Sequence, residues 1–152
     1  MESTDPLSPK SLARIPLFEE FSQTELLDLR PALELQRKRR ESAIMREEAM
    51  GLRDFYIVLE GTVRILEHDL QVGTRGPNDV VGELAFVAKR RRTASVVAET
   101  DCVLIRVDEA TVRASLTKNP MVGWKLMAAI ARLISDKFVE SDQRCRELLA
   151  SK

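Results

Sequence analysis

The sequence predicts a mainly β domain: a jelly-roll-like antiparallel roll with helices packed at both ends. Three observations predict it. Short apolar runs recur between Leu33 and Asp108, each closed by turn residues. No long helices alternate with them, as a parallel α/β sheet would require. From Met127 the pattern changes to a seven-residue apolar repeat that runs nearly to the end. At 152 residues the chain is one domain with material for a single core.

Residues 1–10 (MESTDPLSPK) are polar and proline-marked, unlike a signal peptide, and are expected to form a disordered lead-in to one domain over 11–152. Ser11 to Phe18 is expected as a short helix ending at Pro16. Ser22 and Glu25 form a capping box, with Phe21 and Leu26 as its staple, opening a helix to about Leu29. Leu33 and Leu35 then alternate with Glu34 and Gln36, the period of a half-buried strand. Further strands are read at Ala43–Arg46, Phe55–Glu60, Val63–Leu66, Gln71–Thr74, Val80–Val81, Ser95–Glu99 and Cys102–Asp108. Gly51, Gly61, His68-Asp69 and the stretch from Gly73 to Asn78 separate them.

Asp108 can cap a helix from Glu109 to about Leu116. Asn119, as N-cap, and Pro120 open the final helix, 120–149. Met127, Ala131, Ile134, Phe138, Ser141, Cys145 and Leu148 follow a heptad, with Leu126, Ile130 and Leu133 forming a second stripe beside it. One stripe can lie on the roll while the other meets a second copy, so a homodimer through this helix is expected.

The chemistry concentrates in Gly82–Val96, GELAFVAKRRRTASV. Gly82 follows a strand end and suits a tight backbone approach. Glu83-Leu84-Ala85 reads as the first turn of a short helix, whose N–H groups lack partners and favour an anion. Glu83 would repel that anion unless the ligand also carried a hydroxyl for the carboxylate to accept from. Arg92 offers paired donors to a phosphate just before a β-branched run. An anion and a hydroxyl on one small molecule suggest a ribose joined to a phosphate.

G-E-L-A followed by Arg92 and Thr93-Ala94-Ser95-Val96 resembles the phosphate-binding cassette of cyclic-nucleotide-binding domains. Such domains occur in catabolite-activator-type regulators, cyclic-nucleotide-dependent kinases and gated channels. The resemblance spans roughly Ser11 to Leu149. It implies an eight-stranded β-roll, with a final helix that caps the site or dimerises. It implies that Glu83 holds the ribose 2′-hydroxyl and Arg92 the cyclic phosphate. Gly82, Leu84, Ala85 and Thr93 would complete the cradle. The ligand is then cAMP or cGMP, with no further cofactor.

The chain departs from that family in places. Glu41 and Glu48 stand where the family carries turn glycines, and Ala49-Met50-Gly51-Leu52 replaces its usual E-P-G-D. Those turns are expected to differ from the family's, or the roll to be less stable. Lys137 and Phe138 occupy the register of the hydroxyl residues that cap the base in catabolite-activator-type members, so base preference does not carry over.

Other function classes find little support. The 24 basic and 24 acidic residues balance, so no global field draws the chain to nucleic acid or membrane. No apolar run reaches the roughly 20 residues of a bilayer span. No nucleophile–base pair or metal-ligand spacing occurs, so neither an enzyme nor a metal site is expected. No DNA-binding domain is expected within this chain. Lys89, Arg90, Arg91 and the basic run 37–40 read as solvated residues, and His68 as a turn residue. Trp124 reads as core or interface, and Ser141 and Cys145 as small packing residues in the helix seam. Two cysteines without a framework suit a reducing, cytoplasmic setting. The expected function is a regulatory sensor that couples cyclic nucleotide at the cassette to movement of the C-terminal helix. The alternative is a degenerate roll serving only as a dimerisation scaffold.

Overall fold

A computed structural model describes residues 5–50 and 52–151. Eight strands form two four-stranded antiparallel sheets. β1 (Leu33–Lys38), β8 (Cys102–Val107), β3 (Phe55–Glu60) and β6 (Val80–Val81) lie side by side in one. The other runs β2 (Ala43–Met45), β7 (Ser95–Ala98), β4 (Val63–Glu67), β5 (Leu70–Arg75). This is the expected roll.

The inner strands explain why their sequences look almost wholly apolar. β3 and β8 are covered on both faces. Val58, Cys102 and Leu104 point between the sheets, toward Val63, Val96 and Ala98. Phe55, Ile57, Ile105 and Val107 point outward, under the helices, against Leu12, Phe18, Leu26, Leu126 and Ile130. The β4–β5 hairpin closes on His68 and Asp69, both with positive φ (50° and 64°), the geometry whose twist matches paired strands. Gly73, expected to open the following turn, lies inside β5, which continues to Arg75.

Order begins before the expected start of the domain. Ser8 caps α1 (Pro9–Leu12), and Asp5 pairs with Arg30 at 2.7 Å; of the lead-in only residues 1–4 lie outside the described residues. The expected helix over 11–18 is α1 followed by a separate 3-10 turn at Pro16–Phe18; between them Ile15 is extended (φ −80°, ψ 125°), the conformation a following proline favours. The Ser22–Glu25 capping box on α2 (Gln23–Leu29) is present in both directions.

Asp108 accepts from the Thr111 amide and hydroxyl, opening α4 (Glu109–Lys118), and these bonds hold its carboxyl below the usual range. α5 (Pro120–Ala150) has Asn119 at its N-cap, but without the expected capping bond: Asn119 Nδ2 donates to Asp28 instead, at 3.2 Å.

Both turns with missing glycines retain left-handed backbone. Glu41 has φ 69° and Glu48 φ 65°. The departure is in residue type and not in turn shape at these two positions; Gly51 lies outside the described residues. Glu41 is held by a two-bond pair with Arg64 (2.9 Å each), and Glu48 by Arg91 at 3.4 Å.

Candidate functional site

β6 delivers the chain to Gly82, which takes φ 86° and turns directly into α3 (Glu83–Ala88). A Cβ on Gly82 would lie 2.8 Å from both Arg92 Nη1 and Met45 Sδ, so the close approach expected of this glycine is real. No side chain caps the first N–H groups of α3. Phe86 anchors the short helix, meeting Phe55 edge-to-face at 4.8 Å. Lys89, also with positive φ, ends it.

The basic run that follows divides as expected. Lys89, Arg90 and Arg91 are exposed, whereas Arg92 is only 4 % exposed. Its guanidinium donates to two main-chain carbonyls: Gly82 O at 3.1 Å and Asp54 O at 2.6 Å. No carboxylate among the described residues pairs with it. Burial lowers its pKa, opposed in smaller measure by Tyr56, Asp54 and Glu83 nearby. An arginine keeps its proton even so, which leaves a desolvated cation bonded to neutral groups.

Glu83, 6 % exposed, has its own cation from another element. Lys137, on α5, donates from Nζ to Glu83 Oε1 and to Val80 O, each at 2.7 Å. Gly82, Glu83, Leu84, Ala85, Arg92 and Thr93 all line a single cleft, so every residue expected of the site is brought together. Met45, Glu67, Arg75 and Lys137 are among the other residues of its walls. Phe138, read with Lys137 as a possible cap, is 71 % exposed and is absent from them.

Two contributors escaped the sequence. Asp54 fixes Arg92 through its carbonyl while its carboxylate is held by Arg106 at 2.6 Å and by the Glu109 amide at 3.1 Å. Arg106 also reaches Glu34 and Asp108, so the end of β8 is tied to the entry of β3. Arg75 reaches the cleft from the end of β5, one residue beyond the strand as read from sequence. Neither position carries a local pattern; only the pairing of distant strands puts them here.

Helix α5 carries the remaining differences. Leu126 and Ile130 are fully buried, and Met127 and Ile134 pack half-buried against the chain's own core. The heptad stripe is thus docked at its start and free further along: every residue from Phe138 to Ala150 is exposed, Ser141 and Cys145 included. Trp124 is 71 % exposed, which removes the core reading for it. No helix among the described residues is long and apolar enough to cross a membrane.

Known proteins share this architecture. The cAMP-dependent protein kinase regulatory subunit of Eremothecium gossypii is 38 % identical over 87 residues, 57 % of this chain and 17 % of its own length. The cGMP-dependent protein kinase of Eimeria tenella is 32 % identical over 106 residues, 70 % of this chain and 10 % of its own length. The chain therefore spans a small part of these relatives. A solved cyclic nucleotide-binding domain from Methylobacillus flagellatus superposes with a TM-score of 0.79 at 20 % identity, covering 91 % of this chain and 80 % of that one; at that identity the likeness concerns the fold. The family profile "Cyclic nucleotide-binding domain" matches residues 35–119, more than half of the chain. By that match, this chain belongs to the cyclic-nucleotide-binding domain family.

Proposed function

We propose that the domain binds cAMP or cGMP in the cleft at Gly82–Thr93 and passes its occupancy through α5 to a partner or to further parts of a longer protein. One observation carries the reading. Arg92 is a buried guanidinium without a carboxylate among the described residues, in the same cleft as the buried carboxylate of Glu83. A cyclic phosphate supplies the anion, and a ribose 2′-hydroxyl supplies a donor to Glu83. Gly82, Leu84 and Ala85 offer main-chain N–H groups, and Thr93 a hydroxyl at the rim. Two of the similar proteins are by name cAMP- and cGMP-dependent kinases or their subunits, which supports the ligand class without choosing the base.

Coupling follows from what Arg92 touches. Its bond to Gly82 O joins the phosphate-binding cation to the start of α3, so a phosphate that draws Arg92 also draws the cassette. Phe86 transmits that shift to the core beneath α5, where Ile130 and Leu126 pack. The nucleotide drives the change only by the difference in its affinity for the two arrangements. The protein acts as a non-catalytic cytoplasmic sensor, and its exposed C-terminal stripe pairs with a second copy.

Calorimetric titration with cAMP and cGMP side by side tests the reading. One site per chain, saturable by at least one of them, is expected. Absence of both binding heat and any ligand-induced rise in melting temperature would leave the dimerisation scaffold as the function.

A further inference from the structure

Lys137 and Glu83 meet across two elements that are far apart in sequence, and each retains unused hydrogen-bonding capacity. An ammonium carries three N–H donors. Lys137 Nζ directs two of them to Glu83 Oε1 and Val80 O. The third has no acceptor among the described residues. Glu83 Oε2 likewise accepts from no donor among them, although the Glu83 side chain is only 8 % exposed. Both residues line the same cleft. The pair thus presents an acceptor oxygen beside an N–H donor, facing one small volume. A hydroxyl is the group that suits this arrangement, since it donates one hydrogen bond and accepts others.

We propose that Lys137 is a specificity-determining residue for the ribose: it donates to the 2′-oxygen of the nucleotide while Glu83 Oε2 accepts from the same hydroxyl. This rests on the nucleotide-binding reading above and deepens it. The hydroxyl is recognised twice, once as donor and once as acceptor. The two recognising groups sit on different elements, Glu83 on α3 and Lys137 on α5, so the ribose joins the cassette to the long helix directly. Val80 O holds the ammonium in place from β6, which fixes its direction whether or not the carboxylate moves.

The test compares a ribonucleotide with its 2′-deoxy analogue, using whichever of cAMP or cGMP binds more tightly, on the wild-type chain, Lys137→Met and Lys137→Arg. Methionine keeps much of the stem and removes the donors. Hydrogen bonds to charged groups are strong enough that the ribo-over-deoxy preference should fall about tenfold or more in Lys137→Met. Affinity for the deoxy analogue should fall too, since the cleft loses a cation beside Glu83, but by less than that for the ribonucleotide, and Lys137→Arg should recover part of the preference. An unchanged preference would reduce Lys137 to a prop for Glu83 and overturn the assignment. A preference that grows would show Lys137 competing with the hydroxyl for the carboxylate, and would overturn it equally.

Should Lys137→Met fail to fold, the wild-type chain still decides. The ¹⁵N signal of the Lys137 ammonium, identified by its loss in Lys137→Arg, should respond differently to ribo and deoxy ligands; the same response to both rejects the proposal. Wild-type chain that binds neither nucleotide rejects the nucleotide-binding reading itself, and this assignment with it.

Discussion

Arg92 poses a question of charge in a dry place. Its two carbonyl partners orient the guanidinium but do not neutralise it, and removing the side chain has two separable effects. Gly82 O and Asp54 O lose a donor, which costs about 1–3 kcal/mol of stability where such groups are buried. A bound phosphate loses its counter-charge, which typically costs about 2–5 kcal/mol. Arg92→Ala should therefore lower the melting temperature and weaken cyclic nucleotide by one to several decades, with the second loss persisting at high salt. Arg90→Ala and Arg91→Ala, exposed and screened within about 8–10 Å, should each cost less than about threefold and fade as salt rises. Arg92→Lys should recover only part, since an ammonium keeps the charge without the planar pair of donors. Titrations of the four variants at low and high salt check this. A damaging Arg91→Ala beside a mild Arg92→Ala would contradict the site as described.

Among the elements, the turns before β2 and before β3 invite a stability experiment. Glu41 and Glu48 hold positive φ, which a side chain with a Cβ disfavours by roughly 1–2 kcal/mol, less the entropy that glycine brings to the unfolded chain. Glu48→Gly should stabilise by about 1 kcal/mol, a rise of about 2–4 °C in melting temperature for a chain of this size. Glu41→Gly should gain less, because it forfeits the two-bond pair with Arg64. Differential scanning calorimetry of both variants decides, and a fall with Glu48→Gly would mean that its contact with Arg91 outweighs the backbone strain.

The same elements show what a sequence discloses. Gly82, Glu83 and Arg92 were legible because their geometry is local: a strand end, a tight turn, one helical turn and the next strand lie within a dozen or so positions. The two-sided burial of β3 and β8 was legible as apolar runs. Asp54, Arg75 and the grip of Lys137 on Glu83 were not, since each depends on which distant elements meet. At Asn119 the expected capping bond is absent, and the side chain meets a distant element instead, donating from Nδ2 to Asp28 on α2.

At the scale of the whole molecule, α5 is a helix whose last part, Phe138–Ala150, is unused by its own domain. Trp124, Ala131 and Phe138 recur at seven-residue intervals, and all three are exposed. We propose a parallel homodimer along this stripe in place of the one expected through Met127 and Ile134, which pack on the chain's own core, and Phe138→Asp should shift the chain to monomer in sedimentation at tens of micromolar, roughly the range a modest interface needs. In such a pair the Cys145 thiols, exposed and on the stripe, should cross-link under mild oxidation. Wild-type chain that sediments as a monomer would contradict the assembly.

The overhang of α5 also changes how small a movement the cleft needs to make. Lys137 is the last residue of the helix tied to the roll through the site, and Phe138–Ala150 extends roughly 20 Å past it at 1.5 Å per residue. With Lys137 as a fulcrum, a tilt of about 15°, the size of rotation seen in other switching proteins, sweeps the tip through about 5 Å. The helix is a pointer. A displacement near the packing tolerance at the ribose becomes, at Leu148 and Leu149, a distance that decides whether two surfaces touch.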